Sequence, residues 1–222
     1  MDVVTAAARN NASWCDAVCR SLGLPARRRP GTWEAGGPPP PFYPDRITLA
    51  RGLSAAVVLE GVPEDAACAV KDSFGDLDLA GFTRLFEASW IARRPRGGRP
   101  TGLTWSVIRT AEELAAWADA VGSPGGFGPA LLADDSVRLL HLRGGGAVAA
   151  LNTSDDVVGI SNVVAAGADE DQVWAGVAAM MDEEFPERLQ VGYERGNDLA
   201  AALRAGFEVL GPLRVWDRRA PG

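Results

Sequence analysis

The chain has 222 residues, 47% of them hydrophobic, and a formal net charge of −7. That length and composition suffice for the core of one large domain or two small ones. The acidic balance argues against a nucleic-acid surface, which needs a clustered basic footprint, and suits a cationic amine better. Three cysteines, no basic start leading into an apolar stretch, and no apolar run approaching about eighteen residues argue against a disulfide framework, a secretory leader and a membrane span. The expected location is the cytoplasm. Lys71 is the only lysine among many arginines, a bias that carries no functional meaning by itself.

Trp14, Val18 and Leu22, spaced by four, predict a helix over 8–25. Cys15 and Cys19 share a face of it, but His141 is the only histidine and no further ligands stand nearby, so they read as small buried side chains rather than a metal pair. Residues 26–46, rich in proline and glycine, read as a long extended connector. Its Arg27, Arg28 and Arg29 read as a solvated face, and Trp33, Phe42 and Tyr43 as residues that fold it over a pocket or latch it to the core. From Arg46 the texture turns to strands: RITLARG, AAVVLEGV and ACAVKDSF. GFTRLFEASWIARR is expected to be a strand paired back on CAVKDSFGDLDL through a turn near Gly81. Asp72, Asp76 and Asp78 lack the alternating ligands of a calcium loop and read as turn and surface carboxylates.

RRPRGGRPTG is the best internal boundary, separating a helix and strand-rich region (1–100) from a second unit (103–218). TWSVIRT then predicts a strand and AEELAAWADAVG a helix with Leu114, Trp117 and Val121 inward; SPGGFGPALLADD reads as a loop with a turn of helix. VRLLHLR, AVAALNTS and VVGISNVVAAG, separated by short turns, predict an antiparallel meander. His141 alternates with Leu139 and Val137 and reads as a half-buried strand residue. DEDQVWAGVAAMMDEEFP has Val173, Trp174, Val177, Met181 and Phe185 on one helical face, Asp169 and Gln172 in capping positions, and Pro186 as a stop. LQVGYE is a strand, NDLAAALRAGF a short helix that Asn197 can cap and Gly206 can end, and FEVLGPLRVWDR the closing strand.

This succession, with its second helix ending in Gly206-Phe207, resembles the C-terminal core of the GNAT acyltransferases. The resemblance implies an α/β (α+β) fold, a mixed and mostly antiparallel sheet flanked by helices, with the N-terminal strands either extending that sheet or forming a worn-down second GNAT unit. It also implies acetyl-CoA as cofactor: pantetheine along the strand backbone at Asn162, Val163 and Val164, and pyrophosphate at the helix start, at Gln172, Ala175 and Gly176.

Two features depart from the family pattern. In Gln172, Val173, Trp174, Ala175, Gly176, Val177, neither signature glycine is in place. Asp169, Glu170 and Asp171 complement the helix dipole at roughly 0.3–1 kcal/mol each, and they repel a pyrophosphate. Where many members carry a catalytic tyrosine in the short helix, this chain has Ala202.

Acyl transfer needs a base and an acid near the end of the fifth core strand. Glu194 is the candidate base and Tyr193 the candidate acid, with Ser161 and Asn162 orienting substrate. No metal is expected. The activity expected is acyl-CoA-dependent N-acylation of a small amine. The alternatives are a GNAT-shaped binding or regulatory module without cofactor and a self-associating structural unit.

Overall fold

The computed structural model describes residues 2–97 and 102–220, so the expected boundary at RRPRGGRPTG lies partly outside the described residues. Helix α1 (Val3–Ser21) starts on the Asp2 side chain, which accepts from the Thr5 backbone N–H. Strands β1 (Ala26–Arg29), β2 (Thr32–Ala35) and β3 (Arg46–Thr48), the single-turn helix α2 (Ala55–Val58), and strands β4 (Cys68–Asp72) and β5 (Thr83–Arg93) follow. After the undescribed residues come β6 (Trp105–Val107), α3 (Ala111–Ala120), a 3₁₀ turn (Pro129–Ala133), β7 (Val137–Leu142), β8 (Val148–Ser154) and β9 (Val157–Val164). The chain closes with α4 (Glu170–Glu184), β10 (Leu189–Glu194), α5 (Gly196–Arg204) and β11 (Glu208–Arg218).

Among the described residues, all the strands join one eleven-stranded sheet in the order β1-β2-β3-β4-β11-β5-β10-β9-β8-β7-β6. The meander β7-β8-β9 forms as expected. The first half of the chain does more than lengthen the sheet, because β5 runs between β10 and β11.

Four local expectations are corrected. Strand β5 does not fold back on β4, because β11 lies between them and follows β5 from Ala92 to Thr83. A hairpin closes through the adjacent turn only when no longer partner competes for the same edge. The proline-rich connector contains the β1–β2 hairpin, turned at Pro30-Gly31 with Gly31 at φ 82° and held by the buried Trp33. AAVV is a helical turn, capped by Ser54, and not a strand. Helix α5 begins one residue before Asn197, with no side-chain cap.

Helices cover both faces of the sheet. On one face, Trp14 and Val18 of α1 meet Leu114 and Trp117 of α3 above Val137, Leu139 and Ala150. On the other, Trp174, Val177 and Met181 of α4 and Ala201 and Ala202 of α5 cover Ile91, Leu140, Leu151 and Ile160. A reciprocal pair of hydrogen bonds, each side-chain amide of Asn10 and Asn152 donating to the other's backbone carbonyl at 3.1 Å, docks α1 on β8. The space for it exists because residue 159 is glycine: a Cβ there would lie 1.8 Å from Asn10 Oδ1. No helix among the described residues is long and apolar enough to cross a membrane.

The base of the central strands is tied to α4 by a buried charged cluster. Arg93 of β5 donates to both carboxylate oxygens of Asp182 (2.5 and 2.8 Å) and to Gln190 Oε1 of β10 (2.9 Å), while Gln190 Nε2 donates to Asp182 Oδ1 (2.7 Å). Burial pushes the Asp182 carboxyl up, but the Arg93 guanidinium and the Gln190 amide outweigh it and hold its pKa below the ordinary 3.8. Asp182→Asn strands the Arg93 charge in the core and should cost about 3 kcal/mol in urea unfolding at neutral pH. Because a depressed carboxyl stabilises above its ordinary range and loses that contribution as the pH falls, the gap between wild type and variant should close in acid.

Candidate active site

Strands β9 and β10 pair in parallel only from Leu189 opposite Val157 to Val191 opposite Gly159. Beyond that point β10 stays straight against β5, as far as Glu194 opposite Ser89. Strand β9 bends away. Ala150 of β8 faces Ser161 but Val148 faces Val164, so β9 carries one extra residue, and Asn162 takes the left-handed conformation at φ 53°. Such a bulge kinks a strand and unpairs it on its other edge, and asparagine tolerates the left-handed region better than most residues. At the fork, Gly192 leaves room for its neighbour: a Cβ there would lie 2.8 Å from Ile160 Cγ2 and 3.0 Å from the Ile160 carbonyl oxygen. The result is a V-shaped notch through the middle of the sheet.

On the α1 face the notch opens into a cavity of about 230 Å³. Ile160, Ser161, Asn162 and Val163 of β9 and Tyr193 and Glu194 of β10 form one side; Asn11, Trp14 and Cys15 of α1, Lys71 of β4, and the Phe42–Pro44 loop form the other. Lys71 Nζ donates to Asn11 Oδ1 (2.7 Å) and to the Tyr193 hydroxyl (3.2 Å), and stands 4.5 Å from the centre of the Tyr193 ring. Tyr193 also meets Trp90 edge to face, with ring centroids 5.5 Å apart. Burial pulls the Lys71 ammonium's pKa down, but the Tyr193 phenol and the Cys15 thiol offset this and the net direction is upward. Burial raises the Cys15 thiol and the Tyr43 phenol as well, which keeps both in their neutral forms at physiological pH.

The opposite face of the notch is acidic. Strand alternation turns Gln190 toward α4 and Val191 and Tyr193 toward α1, so the Glu194 side chain lies on the side of α4 and α5. There, desolvation together with Asp198 and Glu170 pushes the Glu194 carboxyl up to about 8, with Arg195 pulling weakly back. Glu170 is raised as well, chiefly by a hydrogen bond shared with Asp198. Asp171 is held down by an ion pair with Arg204, and the Asp169 side chain already takes the Gln172 N–H.

These residues fit a pantetheine thioester arm only in part. The unpaired backbone edge of β9 around Asn162 offers hydrogen-bonding partners to an extended arm. The start of α4 does not fit a pyrophosphate, since its free dipole end is ringed by carboxylates and the Arg204 guanidinium is engaged by Asp171. Gly176, expected at that turn, is inside the protein, where a Cβ would come 2.9 Å from Trp105 Nε1 and 3.3 Å from Leu103 Cδ1. Its neighbours Val173, Trp174 and Val177 are core residues.

The notch thus collects Ser161, Asn162, Val163, Tyr193 and Glu194, and leaves Val164 against the α1–α3 core. Tyr193 and Glu194 meet at its mouth from opposite faces of the sheet. Sequence reasoning missed Lys71 and Asn11, which stand 122 and 182 residues before Tyr193 and join it only through β4 and α1. The signal available was the presence of a single lysine in an arginine-rich chain. Among the described residues no cluster of histidine, cysteine or acidic side chains is arranged to hold a metal ion.

The arrangement is that of the GNAT fold. A GCN5-related N-acetyltransferase from Kribbella flavida superposes with a TM-score of 0.65 at 18% identity, over 100% of this chain and 97% of that one. A putative GNAT-family acetyltransferase from Novosphingobium aromaticivorans superposes with a TM-score of 0.59 at 11% identity, over 94% and 99% of the two chains. A Drosophila protein follows with a TM-score of 0.54 at 15% identity, over 95% and 88%. No protein-family model and no curated protein sequence matches the chain.

A carboxyl whose pKa is raised by folding adds stability below its ordinary value, 4.5 for Glu194, and loses it as the pH rises toward about 8. Glu194→Gln removes that loss. Thermal melts should show variant and wild type alike near pH 4 and the variant increasingly more stable toward pH 9; a pH-independent difference would show that Glu194 is ordinarily ionised.

Proposed function

We propose that the protein is a GNAT-type acyltransferase that moves an acyl group from a pantetheine thioester in the β9–β10 notch to a small amine held in the cavity on the α1 face. One observation carries this reading: the parallel pairing ends at Val191–Gly159, and the opening it leaves runs into a built, polar-floored cavity. The thioester, when bound, supplies an activated carbonyl with a good leaving group.

The chain's own residues supply binding and proton transfer. The unpaired backbone at Asn162 and Val163 aligns the arm. Trp14 and Tyr43 exclude water from the acceptor. Glu194, with a pKa of about 8, is matched to removing a proton from an ammonium near neutral pH, directly or through a water in the notch. The Tyr193 hydroxyl accepts from Lys71, which leaves its own proton free, and it would be the donor to a thiolate leaving group at the notch.

A second reading, a GNAT-shaped binding module that has lost its donor, is supported by the carboxylates at the start of α4. Calorimetric titration with acetyl-CoA separates the two. The transferase reading expects wild-type binding weaker than that of a Glu170→Gln/Asp198→Asn double variant by tenfold or more, because two carboxyls beside the start of α4 are replaced by neutral amides. No binding by either protein leaves the module reading.

With transfer established, Tyr193→Phe should lower kcat by about 10²-fold and Glu194→Gln by at least tenfold, the latter abolishing a rate rise centred near pH 8. Unchanged rates remove these residues from their roles.

A further inference from the structure

The cavity floor holds an unbalanced charge. Lys71, the chain's only lysine, is 4% exposed, and its ammonium is bonded to two neutral groups, the Asn11 amide and the Tyr193 hydroxyl. No carboxylate among the described residues forms an ion pair with it. Buried ammonium groups are ordinarily paired, because removing the charge from water is costly and neutral acceptors recover only part of that cost. An ammonium carries three N–H donors, and Asn11 and Tyr193 take two. Among the described residues, Glu194 is the only acidic one lining the cavity, and its side chain lies with Asp198 and Glu170 on the far face of the sheet.

We propose that Lys71 is the receptor for a carboxylate on the acceptor, so that the cavity takes small amines that are also acids, of amino-acid type with an apolar side chain. The inference rests on the acyltransferase reading for the word acceptor, while the carboxylate site stands on the cavity alone. At about 230 Å³ the cavity lies below the roughly 300–1,000 Å³ of pockets for drug-sized ligands, and it suits a molecule of this size. Trp14 and Tyr43 wall part of it with apolar surface for a side chain. A ligand whose carboxylate meets Lys71 beside Tyr193 directs its amine toward the notch, where β10 brings Tyr193 and Glu194 together. The overall negative charge of the chain favours cations at a distance, but contact selection in the cavity follows the nearer charge, which is positive.

The test is calorimetric titration, without any acyl donor, of leucine, phenylalanine, valine and methionine and of their carboxamides. At least one acid should bind, and its amide, which lacks the anion, at least tenfold more weakly. Lys71→Met should lose the acid by a similar factor. Asn11→Asp supplies Lys71 with a built-in counter-charge; it should keep the wild-type melting temperature or raise it, yet also lose the acid, which guards against a Lys71→Met variant that fails to fold. Equal binding of acids and amides, retained affinity in either variant, or no binding by any of the acids overturns the proposal. Acid binding without acetylation on addition of acetyl-CoA supports the carboxylate site and overturns the transferase reading instead.

Discussion

Where β9 and β10 part company decides what the rest of the molecule can do. Below Val191–Gly159 the two strands are clamped, with Arg93, Asp182 and Gln190 joining β5, α4 and β10 in one buried cluster. Above it, β10 is kept straight by its long antiparallel partner β5, while the extra residue at Asn162 bends β9 toward β8. A gap in the middle of a sheet leaves backbone hydrogen-bonding groups without partners. It persists here because both flanking strands are fully engaged on their other edges.

That geometry makes the first half of the chain part of the notch. Strand β5 forms the straight wall of the notch, α1 covers one face of the sheet and lines the cavity, and β4 brings Lys71 to its floor. The N-terminal strands therefore belong to the same sheet as the GNAT-like succession of elements. The eleven-residue match between β5 and β11 replaces the local hairpin that the turn at Gly81 suggested.

The sheet also separates charge. On the α4–α5 face, Asp198 and Glu170 raise the proton affinity of Glu194, Asp198 raises that of Glu170, and Asp171 occupies Arg204. On the α1 face, the charged group at the notch is the Lys71 ammonium among neutral partners. A passage with a proton acceptor on one side and a cation on the other is suited to an acceptor that carries both an amine and an acid. The same acidic face weakens any polyphosphate handle at the start of α4.

Local chemistry was legible in the residues themselves. The apolar spacing of Val173, Trp174, Val177 and Met181, the Asp169 cap, the meander turns and the Gly206 stop each act over a few positions, and each appears in the structure where the pattern put it. Tyr193 and Glu194 could be placed at a strand end for the same reason. By contrast, the partner of β5, the bulge at Asn162, the buried position of Gly176 and the meeting of Lys71 with Asn11 and Tyr193 depend on segments far apart in the chain. Periodicity describes which face of an element is apolar but not which element covers it. Sequence alone thus determined the elements and the general type of sheet; only tertiary packing, by choosing among competing strand edges, decided where the sheet opens and which charge waits inside.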